Sequence, residues 1–156
     1  MSIVEEVEFL KNVPIFSKVQ PAQLKLLAFM SQRLSYEGGQ SLFSQGDTGD
    51  GAHVIIEGKA EIVVESEAGA LVVDTIGHND FVGEIAILLD VPRTATVRAL
   101  TPVTTLFISK DHFFNILSEF PAMAIEIMRV LAERVDRTTS RLRDEMSRRK
   151  VEAASE

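Results

Sequence analysis

The chain has 156 residues, a formal charge of −7 and no cysteine, which allows one hydrophobic core but not two. Its acidity argues against nucleic acid, whose phosphates demand clustered Lys and Arg, and the missing thiols exclude disulfides and thiolate metal sites and fit a cytoplasmic location. No apolar run approaches the roughly 18 residues of a membrane helix, and no basic stretch before an apolar one marks a secretory signal, so neither membrane contact nor export is expected.

Residues 1–33 read as a helical segment. Val4, Val7 and Leu10 recur at helical spacing, Asn12-Val13-Pro14 interrupts them, and Gln20-Pro21-Ala22 opens a second helix carrying Leu24, Leu27 and Ala28. From Leu34 to Ser109 short β-branched and aromatic runs are separated by turn clusters: 37–40, 45–51, Glu57-Gly58, 67–69 and 77–80. Such regular turn signals predict an antiparallel sandwich or barrel, with strands at 53–56, 60–64, 71–73, 95–99 and 104–108.

Beyond residue 109 the pattern is helical again. Asp111 to Leu117 predicts a short helix, and Pro121 opens a last one running to about Arg149, within a C-terminal unit of residues 110–150. Residues 151–156 are expected to fray. Ile127, Met128, Leu131 and Val135 share one side of the last helix, and Thr138, Leu142 and Glu145 or Met146 continue it weakly. Residues 125–146 are therefore expected to form a parallel homodimer seam. Arg134, Arg137, Arg141 and Arg143 alternate with Glu133, Asp136, Asp144 and Glu145, the pattern of a solvated helix face.

The stretch from Asp80 to Leu100 carries the chemistry. Gly83 lets a ligand approach the backbone, and the amides of Glu84, Ile85 and Ala86 would form the donor end of a helical turn. Val91, held extended by Pro92, ends that turn, so Arg93 emerges on a new strand that can face it. An arginine fork beside amides suits a phosphate, and a carboxylate accepting paired hydrogen bonds suits sugar hydroxyls. Arg93 and Thr94 can touch one phosphate only if the regular strand begins after Thr94, because alternation would otherwise send them to opposite faces.

These residues resemble the phosphate-binding cassette of the cyclic-nucleotide-binding domain family: Phe-x-Gly-Glu-(Leu/Ile)-(Ala/Gly), then Arg-(Ala/Ser/Thr)-Ala. The matching positions are Phe81, Gly83, Glu84, Ile85, Ala86, Arg93, Thr94 and Ala95. The turn Gly46-Asp47-Thr48-Gly49-Asp50 and Gly58 resemble the family's early barrel, although His53 stands where an aromatic is usual. The resemblance implies a mainly β fold, an antiparallel jelly-roll β-barrel over residues 34–109 flanked by N-terminal helices and a long C-terminal helix. It also implies a cyclic nucleotide as ligand, cAMP first and cGMP as the alternative, with no further cofactor. Arg93, Thr94 and Ala95 would hold the phosphate, together with the 83–86 turn, and Glu84 the ribose. The stretch from Phe120-Pro121 to Leu142 resembles the dimer helix of the bacterial catabolite activator, which implies that Thr138 and Thr139 meet the base, while the residue that caps the base stays open among Leu131, Arg134, Val135, Thr138 and Thr139. The expected function is a sensor, free-standing or part of a larger protein, whose ligand repositions the last helix.

Two other readings stay open: an interaction module of the same fold without a ligand, and a small barrel enzyme. Against the enzyme, His53, His78 and His112 lack metal-ligand spacing, the Asp47/Asp50 turn lacks a calcium loop's oxygen pattern, and no nucleophile elbow or phosphate-binding Gly-Lys-Ser/Thr loop occurs.

Overall fold

In the computed structural model, residues 2–155 are described. Helices α1 (Ile3–Lys11) and α2 (Pro21–Met30) flank a 3₁₀ turn at Pro14–Phe16. Ser2 caps α1 by accepting from the Glu5 amide at 3.3 Å, and Pro21 opens α2, where its missing amide costs nothing. Eight strands follow: β1 Gln32–Tyr36, β2 Ser41–Phe43, β3 Gly51–Glu57, β4 Ala60–Ser66, β5 Gly69–Ile76, β6 Phe81–Val82, β7 Thr96–Ala99 and β8 Val103–Ser109. Helix α3 (Glu84–Leu89) lies between β6 and β7, and α4 (Lys110–Glu119) and α5 (Pro121–Ser155) close the chain.

The strands form two antiparallel four-stranded sheets, ordered β1-β8-β3-β6 and β2-β7-β4-β5. This is jelly-roll connectivity, but the sheets keep free edges at β1, β6, β2 and β5, so the expected closed barrel is a two-sheet sandwich. β3 shows why the sheets stack with helices on one side: it is buried on both faces. Val54 and Ile56 point into a core shared with Leu10, Phe16, Leu24, Phe113, Met123 and Ile127 from the helices. Ile55 points the other way, into a smaller core with Ala60, Val82, Val97 and Val103 between the sheets.

The last helix differs from its sequence reading in two ways. It remains helical through Ser155, where fraying was expected from Val151; Arg148 and Arg149 pair with Glu145 at helical spacing and support this end. Ile127, expected on a dimer seam, is buried in the domain's own core, and Leu131 packs against that core. No helix among the described residues is long and apolar enough to cross a membrane.

Candidate functional site

The site is built where β6 stops. Phe81 is anchored from both sides of the helical core, its ring 5.8 Å from Phe113 and 6.4 Å from Phe16, and β6 pairs with His53 and Val54 of β3. Gly83 then turns the chain with φ +95°, a left-handed conformation that side chains rarely adopt, and becomes the N-cap of α3. A Cβ there would lie 2.8 Å from Arg93 Nη1 and 3.2 Å from the Gly51 carbonyl. No side chain caps the first turn of α3. Gly49 permits a second close approach, since a Cβ on it would meet Ala86 Cβ at 2.6 Å.

Arg93 is 3 % exposed. Its Nη1 donates to the Gly83 carbonyl at 2.7 Å, and Nη2 donates to the Gly51 carbonyl at 2.7 Å and to Asp50 Oδ1 at 3.2 Å. The guanidinium carbon stands 4.0 Å from the centre of the Phe43 ring, within cation–π range. Nε, also buried, finds no acceptor among the described residues. Burial disfavours the charge of Arg93, and Asp50 restores part of it. Regular pairing of β7 begins at Thr96, so the strand starts after Thr94 as expected.

Glu84 is 1 % exposed. Burial pushes its carboxyl pKa up, chiefly against the pull of Arg134, whose Nη1 donates to Oε1 at 2.5 Å. The second Arg134 nitrogen, Nη2, donates to the Phe81 carbonyl. Arg134 is thus no solvated face residue. It prolongs the buried stripe of Met123, Ile127 and Val130 by one turn, and that spacing was the available signal for it.

These elements enclose a cavity of about 360 Å³, within the usual range for small-molecule sites. Gly83, Glu84, Ile85, Ala86, Arg93, Thr94 and Ala95 all line it, joined by Arg134, Phe43 and apolar residues of β4, β5, β6 and β7. Thr138 and Thr139 do not line it. Thr138 Oγ1 donates to the Arg134 carbonyl at 2.9 Å, a bond internal to α5.

His53 lies behind Arg93, its ring 5.0 Å from Phe107, 6.0 Å from Phe43 and 6.2 Å from Tyr36. It occupies an aromatic's place in the packing, and its Nδ1 meets the buried Thr105 hydroxyl at 3.1 Å. Burial, then the charge of Arg93, lowers its pKa to about 4.

A jelly-roll sandwich with a buried arginine and a buried carboxylate facing one cavity defines a class of small-ligand receptor domains. Within it, the chain belongs to the cyclic nucleotide-binding domain family, whose model matches residues 33–120. It is 30% identical over 138 residues to a CRP-like cAMP-activated global transcriptional regulator of Mycobacterium tuberculosis, covering 88% of this chain and 62% of that protein. It is 36% identical over 109 residues to a cAMP-dependent protein kinase regulatory subunit of Yarrowia lipolytica, covering 70% of this chain and 28% of that one. The chain thus spans less than two thirds of either relative's length. Among solved structures, the regulatory subunit of a cAMP-independent protein kinase A from Trypanosoma brucei superposes with a TM-score of 0.73 at 25% identity, covering 84% of this chain and 48% of that one.

Proposed function

We propose that this domain is a regulatory receptor for a 3′,5′-cyclic nucleotide, cAMP in the first place, and that it performs no catalysis. The observation that carries the reading is Arg93, whose charge is buried and whose Nε lacks an acceptor among the described residues. A cyclic phosphate beside it supplies the missing acceptor and a second counter-charge besides Asp50, at roughly 1.5–3 kcal/mol per charged hydrogen bond. The amides of Glu84, Ile85 and Ala86 and the Thr94 hydroxyl complete the phosphate site, with Gly83 and Ala95 leaving room for it. Glu84 accepts from the ribose. The mycobacterial and Yarrowia relatives carry cAMP in their names, which supports cAMP as the first candidate, with cGMP kept as the alternative.

The response is a shift of α5. Arg134 ties α5 to the carboxylate that the ribose would engage, so ligand and helix meet at one residue. Thr138 and Thr139, one turn beyond Arg134, are what a closing α5 would bring towards the base. The output is carried by a parallel homodimer through α5.

The test is thermal unfolding with cAMP. At a hundredfold excess over the dissociation constant the wild-type domain should gain about 2.7 kcal/mol, and Arg93→Lys, which keeps the charge but loses the fork, should gain nothing. A wild-type protein unmoved by both cAMP and cGMP would refute the reading and leave an interaction module.

A further inference from the structure

We infer that the outer face of α1 and α2 is a contact surface for a second copy of this chain, joined groove to groove across a two-fold axis. In α2, from Pro21 to Met30, the only polar residues are Gln23 and Lys25. A helix that is apolar all round is one that is covered all round. Within a single copy only half of α2 is covered. Leu24, Leu27 and Ala28 enter the core, while Ala22, Leu26 and Phe29 recur on the outer side at steps of four and three. Phe29 is 79 % exposed and Leu26 is 46 % exposed. α1 divides in the same way, with Leu10 buried and Val4 73 % exposed.

Between the two helices runs a groove of about 320 Å³, with Val4, Val7 and Glu8 on one wall and Pro21, Ala22 and Lys25 on the other. Glu8 and Lys25 are exposed, and neither forms an ion pair among the described residues. A copy turned over about an axis along the groove exchanges the two walls, so its Glu8 comes over Lys25 and its Lys25 over Glu8. The apolar floors then face each other and each rim charge meets its opposite, which is the self-complementarity an isologous contact requires. Two helices about 15 Å long offer less than the roughly 800 Å² per partner of a standard interface, so the contact is weak and depends on concentration. Phe29 and Val4 are its anchors. The surface shares no residue with the cavity or with α5, so it stands apart from the receptor reading.

The experiment is sedimentation velocity of the full chain carrying Leu142→Glu, which charges the outer face of α5 and leaves α1 and α2 as the contact to be read. The sedimentation coefficient should rise with protein concentration up to about 1 mM, where an undersized interface associates. Phe29→Ser should weaken the association by more than about tenfold. Glu8→Lys alone should weaken it by a similar factor, because it sets two lysines face to face, and Glu8→Lys combined with Lys25→Glu should restore it. All three positions are exposed, so unchanged thermal unfolding establishes that each variant is folded. The inference is overturned by a chain that stays monomeric across the range, by a Phe29→Ser variant that associates as its parent does, or by a double exchange that rescues nothing.

Discussion

Arg134 donates to buried Glu84 at 2.5 Å and, through its other terminal nitrogen, to the Phe81 carbonyl, so one side chain of α5 clips the helix to both arms of the Gly83 turn. Glu84 needs this partner, because burial without it favours the neutral acid. Removing one partner of a buried pair costs more than removing both. A double-mutant cycle with Glu84→Gln and Arg134→Met should therefore give a coupling of about 1–3 kcal/mol in chemical denaturation without ligand. Additive single effects would show that the clip contributes nothing to holding α5.

Gly83→Ala should destabilise the domain by about 1–3 kcal/mol. The left-handed φ is one part of the cost, and the added Cβ, 2.8 Å from Arg93 Nη1, is the other. Because that contact falls on the guanidinium, the stabilisation by cAMP should shrink along with the basal stability. Urea denaturation with and without nucleotide separates the two effects, and a variant as stable as the wild type would disprove the packing argument.

The phosphate cassette was legible because its signals are local: a glycine, a carboxylate and a proline-fixed turn determine their own geometry whatever the rest of the chain does. Both strand and helix classes followed from periodicity for the same reason. Strands β1, β2 and β6 and the partner of Arg134 lay beyond reach. Strand β1, reading Gln32-Arg33-Leu34-Ser35-Tyr36, alternates poorly, and its pairing with β8 rather than its composition holds it extended. Arg134 looked solvated because its partner lies 50 residues away and the buried side of α5 is defined only once α4 and the 3₁₀ turn pack against it. The same ignorance put Ile127 on the outer seam.

Acid should weaken the fold partly through His53. Its pKa falls from the ordinary 6.5 to about 4 in the folded chain, so between these values the unfolded state binds the extra proton and stability drops as pH falls. The drop begins near pH 6.5, is complete near pH 4, and amounts to about 3 kcal/mol. Glu84, whose folded pKa is raised, has the opposite slope, which a comparison with His53→Phe cancels. The wild type should lose stability relative to that variant across the window, and parallel pH profiles would refute the role given to His53.

The outer face of α5 makes the last prediction. Ile125, Met128, Val135, Leu142 and Met146 are each more than half exposed, and with Ala132 and Thr139 between them they recur at alternating steps of three and four along the helix. That is the repeat of a two-stranded coiled coil, offset from the stripe of Met123, Ile127 and Arg134 that the domain uses for itself. One helix face thus serves the cavity while the neighbouring face is free for a second copy, and a ligand that shifts Arg134 would be felt along the seam. Each large side chain covered there contributes about 1.5–3 kcal/mol, so Val135→Glu or Leu142→Glu should convert a dimer to monomers while leaving the thermal unfolding of the sandwich nearly unchanged. Light scattering that finds the wild-type chain monomeric both with and without cAMP would rule this arrangement out.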